Sequence, residues 1–176
     1  AFLDEVFLGS TAILNTLLGL LNERTFRRGH THRDVPLRVC VGASNDLPEE
    51  PALAAFADRF LLHAFVHPVP DHRLEDLLEA HDRVRGGAAR RASIDDLDQV
   101  TRAAAAVDLS RVRPLLADAV RSLRAAGVPL SDRRIVKLQR LVAAACALDG
   151  RKLADGGDLW PVINAMPGEA DQQTAR

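Results

Sequence analysis

Ala1-Phe2-Leu3-Asp4-Glu5 is an apolar run ending in two adjacent carboxylates. Ala1 to Leu3 read as the end of a buried strand. Successive strand residues point to opposite faces, so one acid is expected at the top of a sheet and the other turned aside. In open α/β sheets, ligands lie beyond the carboxyl ends of the strands. Asp4 is therefore a candidate to hold Mg²⁺ through water, because that ion keeps much of its hydration. Glu5 is a candidate to orient or deprotonate an attacking water. An apolar run ending in two acids is common, so the assignment depends on the motifs further along the chain.

Working outward, Ser10 reads as an N-cap, with Ile13, Leu14, Leu17, Leu18 and Leu21 at helical spacing behind it. Asn22-Glu23-Arg24 ends that helix, and Thr25 to Asp34 read as a polar hairpin containing Gly29. Leu37 to Val41 are expected as a second strand, Pro51 to Ala57 as a short helix and Phe60 to Val66 as a third strand. Strand, helix, strand, helix, strand is the pattern of a parallel α/β sheet.

His67-Pro68-Val69-Pro70 then stiffens the chain and blocks both helix and central strand. The expected division is an α/β part over 1–67, a proline linker over 68–70, an all-α domain over 71–166 and a flexible polar tail over 167–176. Within the all-α part a helix from Asp71 carries Leu74, Leu77, Leu78 and Val84 on one face and stops at Gly86-Gly87. Ser93 caps the next, with Asp96 at the capping-box position. Ser110 caps a third, which Gly127 ends. The fourth starts at Ser131, with a Leu130–Ile135 staple, and runs to Gly150. Leu159 to Met166, including Trp160, are expected to pack back on these helices.

Composition narrows the function. Twenty-three basic and 24 acidic residues give a net charge of −1, so no global field steers the chain to DNA or membrane. Aromatics are 4%, too few for a base-stacking platform. No apolar run is long enough to span a bilayer. No leader is visible, and a cytoplasmic location is expected. Cys40 and Cys146 read as buried free thiols. His30 and His32 lie in the hairpin, and His63 and His67 are too far apart on a strand to chelate one ion. The basic residues Arg27, Arg28, His30, His32 and Arg33 read as a solvated hairpin, with nucleic acid or a partner loop as the alternative.

Three further stretches carry polar chemistry. Val39-Cys40-Val41-Gly42-Ala43-Ser44-Asn45 puts an amide just past the end of a strand; it fits a plain turn as well as a contact to water or phosphate. Asp58-Arg59-Phe60 offers a guanidinium suited to phosphate, or a surface salt bridge. Leu130-Ser131-Asp132-Arg133-Arg134 sets two cations in the first turn of a helix, against its dipole. A bound anion would remove that conflict, and a solvated pair of arginines is the alternative.

Taken in order, these motifs resemble the MoxR branch of the AAA+ ATPases, and within it the RavA-like group. The resemblance rests on Phe2-Leu3-Asp4-Glu5-Val6-Phe7, Leu21-Asn22-Glu23-Arg24-Thr25-Phe26, Gly42-Ala43-Ser44-Asn45-Asp46-Leu47-Pro48, Asp58-Arg59-Phe60 and Leu130-Ser131-Asp132-Arg133-Arg134. It implies a partial α/β P-loop NTPase core with a parallel sheet, followed by a helical lid. It further implies ATP and Mg²⁺ as cofactors, with Asp4 and Glu5 as Walker B and Asn45 as sensor 1. Arg59 would be the arginine finger, and Arg133 the sensor 2 arginine, with Arg134 the less favoured choice. Thr25 to Leu37 would be the pre-sensor-1 insertion. Partners implied are further copies in a hexameric ring and protein clients, among them von Willebrand factor A domain proteins; nucleic acid and membrane are not expected. The implied activity is chaperone-like remodelling driven by ATP hydrolysis.

One departure matters. No G-x-x-x-x-G-K-[ST] phosphate loop occurs in the 176 residues. The chain reads as an internal stretch of a longer protein and is expected to bind ATP poorly and hydrolyse none alone. The alternative is a non-catalytic scaffold or adaptor that has lost the loop.

Overall fold

In the computed structural model, the described residues are 1–9, 11–28, 31–48, 50–84 and 92–176. Ser10, Gly29, His30, Gly86 and Gly87, for which a cap, a turn and a helix stop are expected, lie outside them. Two compact units are present, residues 1–61 and 62–176.

The first unit holds β1 (Phe2–Leu3), α1 (Thr11–Glu23), β2 (Thr25–Arg28), β3 (Thr31–Asp34), β4 (Val41–Gly42) and α2 (Pro51–Ala57). β1 and β4 pair in parallel, Phe2 opposite Val41 and Leu3 opposite Gly42. β2 and β3 form the expected antiparallel hairpin, with Phe26 opposite Arg33 and Arg27 opposite His32. Arg24, at φ 59°, turns the chain out of α1, and its carbonyl accepts the Val35 N–H at 2.6 Å. The core is Val6, Leu14 and Phe56, with Leu3, Phe7, Leu17 and Phe60 packed against it.

Three expectations for this unit need correction. Phe2 is 66% exposed, so β1 is not buried as a two-stranded ribbon. Cys40 is only half-buried, whereas Cys146 is buried, and its burial pushes the thiol pKa up. Phe60 to Val66 form no strand: a strand exists only with a ladder partner, and none of the strands among the described residues pairs with this stretch.

The second unit contains a 3₁₀ turn at Asp71–Arg73, α3 (Leu74–Val84), α4 (Ile94–Ala105), α5 (Val112–Ala125), α6 (Asp132–Leu148), a 3₁₀ helix (Gly156–Ala165) and α7 (Glu169–Thr174). α6 is the central element: it packs against α4 and against the 3₁₀ helix, and buries Leu138, Val142 and Cys146. Local chemistry sets the helix ends. Ser131 caps α6 by accepting the Arg134 N–H. At Gly127 and Gly150, φ is 89° and 72°, a conformation open to glycine without a Cβ penalty. After α6, Gly150 N–H bonds to Ala147 O and Arg151 N–H to Cys146 O, both at 3.0 Å, closing a Schellman motif. α5 differs from expectation: its cap position is Arg111, with no side-chain cap, and the Ser110 N–H turns back to the Asp108 carboxylate at 2.8 Å.

Ser93 and Asp96 form the expected capping box at α4. The Ser93 backbone and hydroxyl donate to Asp96, which holds its carboxyl below the usual range. A depressed folded-state pKa contributes stability above the unfolded pKa and loses it as pH falls through the folded value. The α4 amides are therefore expected to lose hydrogen-exchange protection on acidification below the ordinary carboxylate range. That loss should be smaller in Asp96→Asn; an equal acid response in both proteins would remove Asp96 as its source.

Beyond α6, Arg151 donates to both carboxylate oxygens of Asp158, which is 1% exposed. Asp158 also accepts the Asp155 N–H at 2.9 Å, tying the start of the 3₁₀ helix to the end of α6. The Asp158 carboxylate, and after it that of Asp149, which accepts from Arg151 Nη2 at 3.2 Å, push the Arg151 pKa above its ordinary value. Trp160 does not pack inward: it is 61% exposed beside an open apolar groove of about 560 Å³ lined by α5, the 3₁₀ helix and α7.

The tail is also ordered differently from expectation. α7 is helical over Glu169–Thr174, and Gln172 is 8% exposed. Gln172 Nε2 donates to the His63 carbonyl at 2.9 Å, and the His63 N–H donates to Asn164 O at 2.8 Å. These bonds place residues 62–67 in the second unit, so the division falls ahead of Pro68-Val69-Pro70.

Candidate functional site

The parallel pairing of β1 with β4 extends past both strands. Ala43 N–H donates to Leu3 O at 2.8 Å, and Val6 N–H donates to Ala43 O at 3.0 Å. Gly42 permits this approach: a Cβ there would lie 3.2 Å from Val6 Cγ1 and from the Phe60 ring. The loop after β4 is thereby fixed beside the turn after β1.

That turn carries both acids. Asp4 and Glu5 are not strand residues, so the alternation argument does not apply to them. Asp4 Oδ1 accepts the Glu5 N–H at 3.2 Å, and Glu5 O accepts the Leu8 N–H at 2.9 Å. Glu5 sits at φ 46°, in the left-handed region, at a cost on the order of 1 kcal/mol for a residue with a Cβ. Its carboxylate Oε1 accepts from Asn45 Nδ2 at 2.8 Å. Two polar side chains 40 positions apart thus meet at the carboxyl ends of adjacent parallel strands.

Asp4 is exposed, and a hard carboxylate oxygen in that position suits Mg²⁺. No group of three His, Cys, Asp or Glu that could hold a metal exists among the described residues. The donor set therefore fits an ion that takes its other ligands from water and phosphate, and does not fit an all-protein cage.

Arg59 follows the last turn of α2 and is half-buried. Its Nη1 donates back to the Ala55 carbonyl, one of the carbonyls left open at a helix C-terminus. Phe56 anchors this turn: its ring meets Phe7 edge-on at 6.2 Å and Phe60 at 5.7 Å. Phe7 is two residues from Glu5, so one aromatic cluster braces both the acidic turn and the turn bearing Arg59.

In the second unit, Arg133 and Arg134 occupy the first turn of α6 and point differently. Arg133 is exposed, while Arg134 is 1% exposed and donates through Nη1 to Ala165 O at 2.7 Å. The opposition to the helix dipole is met for Arg134 by a carbonyl, leaving Arg133 outward. Sequence reading did not reach the Glu5–Asn45 contact, the Arg151–Asp158 pair or the burial of Gln172. The Asp155-x-x-Asp158 spacing, which suits a capping box, is a local signal that could have pointed to the second of these.

A family model described as the MoxR domain in the MoxR-vWA-beta-propeller ternary systems matches residues 1–104. The chain belongs to the MoxR family. MoxR proteins are AAA+ ATPases, and ATP and Mg²⁺ are the general cofactors of that class. Two uncharacterized proteins of Methanocaldococcus jannaschii, MJ0812 and MJ0079, are each 36% identical to this MoxR chain over 160 residues. The match covers 90% of this chain and 42% of theirs, so the chain spans less than half the length of these curated relatives. A crystal structure of a "putative ATPase" from Cytophaga hutchinsonii superposes with a TM-score of 0.70 over 94% of this chain and 56% of that one. At 17% identity this shows a shared fold. The architecture is that of a partial AAA+ core with a small parallel sheet, followed in sequence by a helical lid. No helix among the described residues is long and apolar enough to cross a membrane.

Proposed function

We propose that this MoxR chain supplies the hydrolytic half of an ATP site: Glu5 as the base that orients and deprotonates water, Asn45 as its polar partner, and Asp4 as the ligand to hydrated Mg²⁺. The observation that carries the reading is the 2.8 Å bond from Asn45 to Glu5 at the carboxyl ends of two parallel strands. Ligands sit at that edge in open α/β sheets. A general base is effective when its carboxylate is held in one direction, and the amide of Asn45 does this. Mg²⁺, when bound, draws off negative charge from the transferring phosphoryl group.

Arg59 is read as the arginine finger presented to a neighbouring copy, and Arg133 as the sensor 2 arginine of the lid. Arg59 must leave the Ala55 carbonyl to reach another subunit's phosphate. The assembly is a homo-oligomeric ring, and the work is remodelling of protein partners. Proteins with a von Willebrand factor A domain are the clients favoured, since the matching family description couples MoxR domains to vWA domains. With no phosphate loop in its sequence, the chain alone lacks most ligands for the β- and γ-phosphates and is expected to be inactive.

The test uses the longest natural reading frame that contains the chain. Asn45→Ala is expected to lower ATP turnover by about 10²-fold, the scale of losing one preorganised polar contact, with nucleotide affinity held. Wild-type turnover in Asn45→Ala would remove Asn45 from the site.

A further inference from the structure

Residues 164–172 make polar contacts in two directions. Toward residues 62–67 there are four. His63 N–H donates to Asn164 O at 2.8 Å, and His63 Nδ1 lies 2.8 Å from Pro167 O. Gln172 Nε2 donates to His63 O at 2.9 Å, and His67 Nε2 meets Glu169 at 2.7 Å. The last pair is exposed and contributes little. Gln172, by contrast, is buried, so its bond is partly shielded from water. His63 thus has both backbone groups and a ring nitrogen engaged by a segment about 100 residues away. In the other direction, the carbonyl of Ala165, next to Asn164, accepts from the buried guanidinium of Arg134. Ala165 and Met166 are both fully buried, which holds the segment as part of the core.

We infer that residues 164–172 form a clasp joining the first turn of α6 to the segment that leads away from Arg59, and that Arg134 is its anchor. Arg134 is then a positioning residue, and Arg133 alone on that turn is available to phosphate. His63 is four residues after Arg59 in the chain, so holding His63 constrains one end of the stretch that carries Arg59. A shift of the α6 first turn would pass from Arg134 to the Ala165 carbonyl, along the chain to Asn164, and by the Asn164 carbonyl to His63. The coupling rests on the proposed roles of Arg59 and Arg133; the clasp itself does not.

The test joins hydrogen exchange on the chain to turnover in the longest natural reading frame. Gln172→Leu removes the donor at similar volume. It is expected to speed exchange over residues 62–67 by about five- to tenfold, with residues 138–148 of α6 unchanged. Arg134→Met is expected to do the same more strongly, and Arg134→Lys to restore part of the protection. Should Arg134→Met fail to fold, Gln172→Leu carries the test. Turnover in Gln172→Leu is expected to fall several-fold with nucleotide affinity and Arg133 dependence intact. Unchanged exchange over 62–67, or equal acceleration in 138–148, overturns the clasp. Faster exchange with unchanged turnover overturns the coupling. Absence of turnover in the wild type counts against the ATPase reading, and the exchange result still decides the clasp.

Discussion

Glu5→Gln is expected to abolish ATP turnover while leaving nucleotide binding intact. The substitution keeps the shape of the side chain and a carbonyl oxygen that can still accept from Asn45 Nδ2. It removes the carboxylate charge and the basic oxygen pair. A positioned general base contributes about 10²–10⁴-fold to rate, so turnover should fall by that factor. Binding should hold, because Glu5 is not the proposed metal ligand; Asp4 is. The left-handed backbone at φ 46° is unchanged by the substitution, so stability should also hold. Turnover within a few-fold of wild type would mean that another group activates the water, and the Walker B assignment of Glu5 would fall.

Arg59→Ala is expected to be at least as damaging, through a different subunit. An arginine finger contributes about 10³–10⁵-fold in related phosphoryl-transfer enzymes, because it meets charge that develops on the transferring group. In this chain Arg59 is folded back on the Ala55 carbonyl. The loss of that bond is a local matter at the end of α2, where the neighbouring Asp58 and Phe60 N–H groups keep their own partners at 3.0 Å. Folding should therefore survive while turnover collapses. Arg59→Lys should recover little, since a point charge does not reproduce the planar fork. Full turnover in Arg59→Ala would return the residue to a helix-capping role.

How much of this was legible in the residues depended on range. The start of α4 and both ends of α6 followed from Ser93, Asp96, Ser131 and Gly150 because capping is settled among neighbours within about five residues. The hairpin at Thr25–Asp34 was legible for the same reason. Ser110 misled: α5 begins one residue later, with Arg111 at the cap position, and Ser110 is held in the turn from Asp108. Phe60 to Val66 have strand composition, but strand identity needs a ladder partner from elsewhere in a sheet. α7 looked like a polar tail, since nothing local shows that Gln172 will find the His63 carbonyl.

The candidate site shows the same division. Asp4-Glu5, Asn45 and Arg59 were recognisable as residue types at the ends of elements. Their arrangement was not, because it depends on which strand lies beside which. The parallel register of Phe2 with Val41 brings Asn45 onto Glu5, and no periodicity within either segment contains that information. Likewise, the resemblance favoured Arg133 over Arg134, but the residues themselves gave no physical reason for it. The core supplies one by burying Arg134 against Ala165.

The central claim is that an ATP site is completed between copies, with Glu5 on one and Arg59 on the next. It is tested most directly by mixing. Glu5→Gln and Arg59→Ala proteins, each made from the longest natural reading frame, are combined in equal amounts and ATP hydrolysis is measured. In a mixed ring, an Arg59→Ala subunit keeps Glu5 and Asn45, and a Glu5→Gln neighbour gives it Arg59. Turnover well above the sum of the two separate proteins is predicted. A mixture no more active than that sum, under conditions where the subunits are shown to exchange, would contradict the shared site and favour a scaffold in which these residues have no part in hydrolysis.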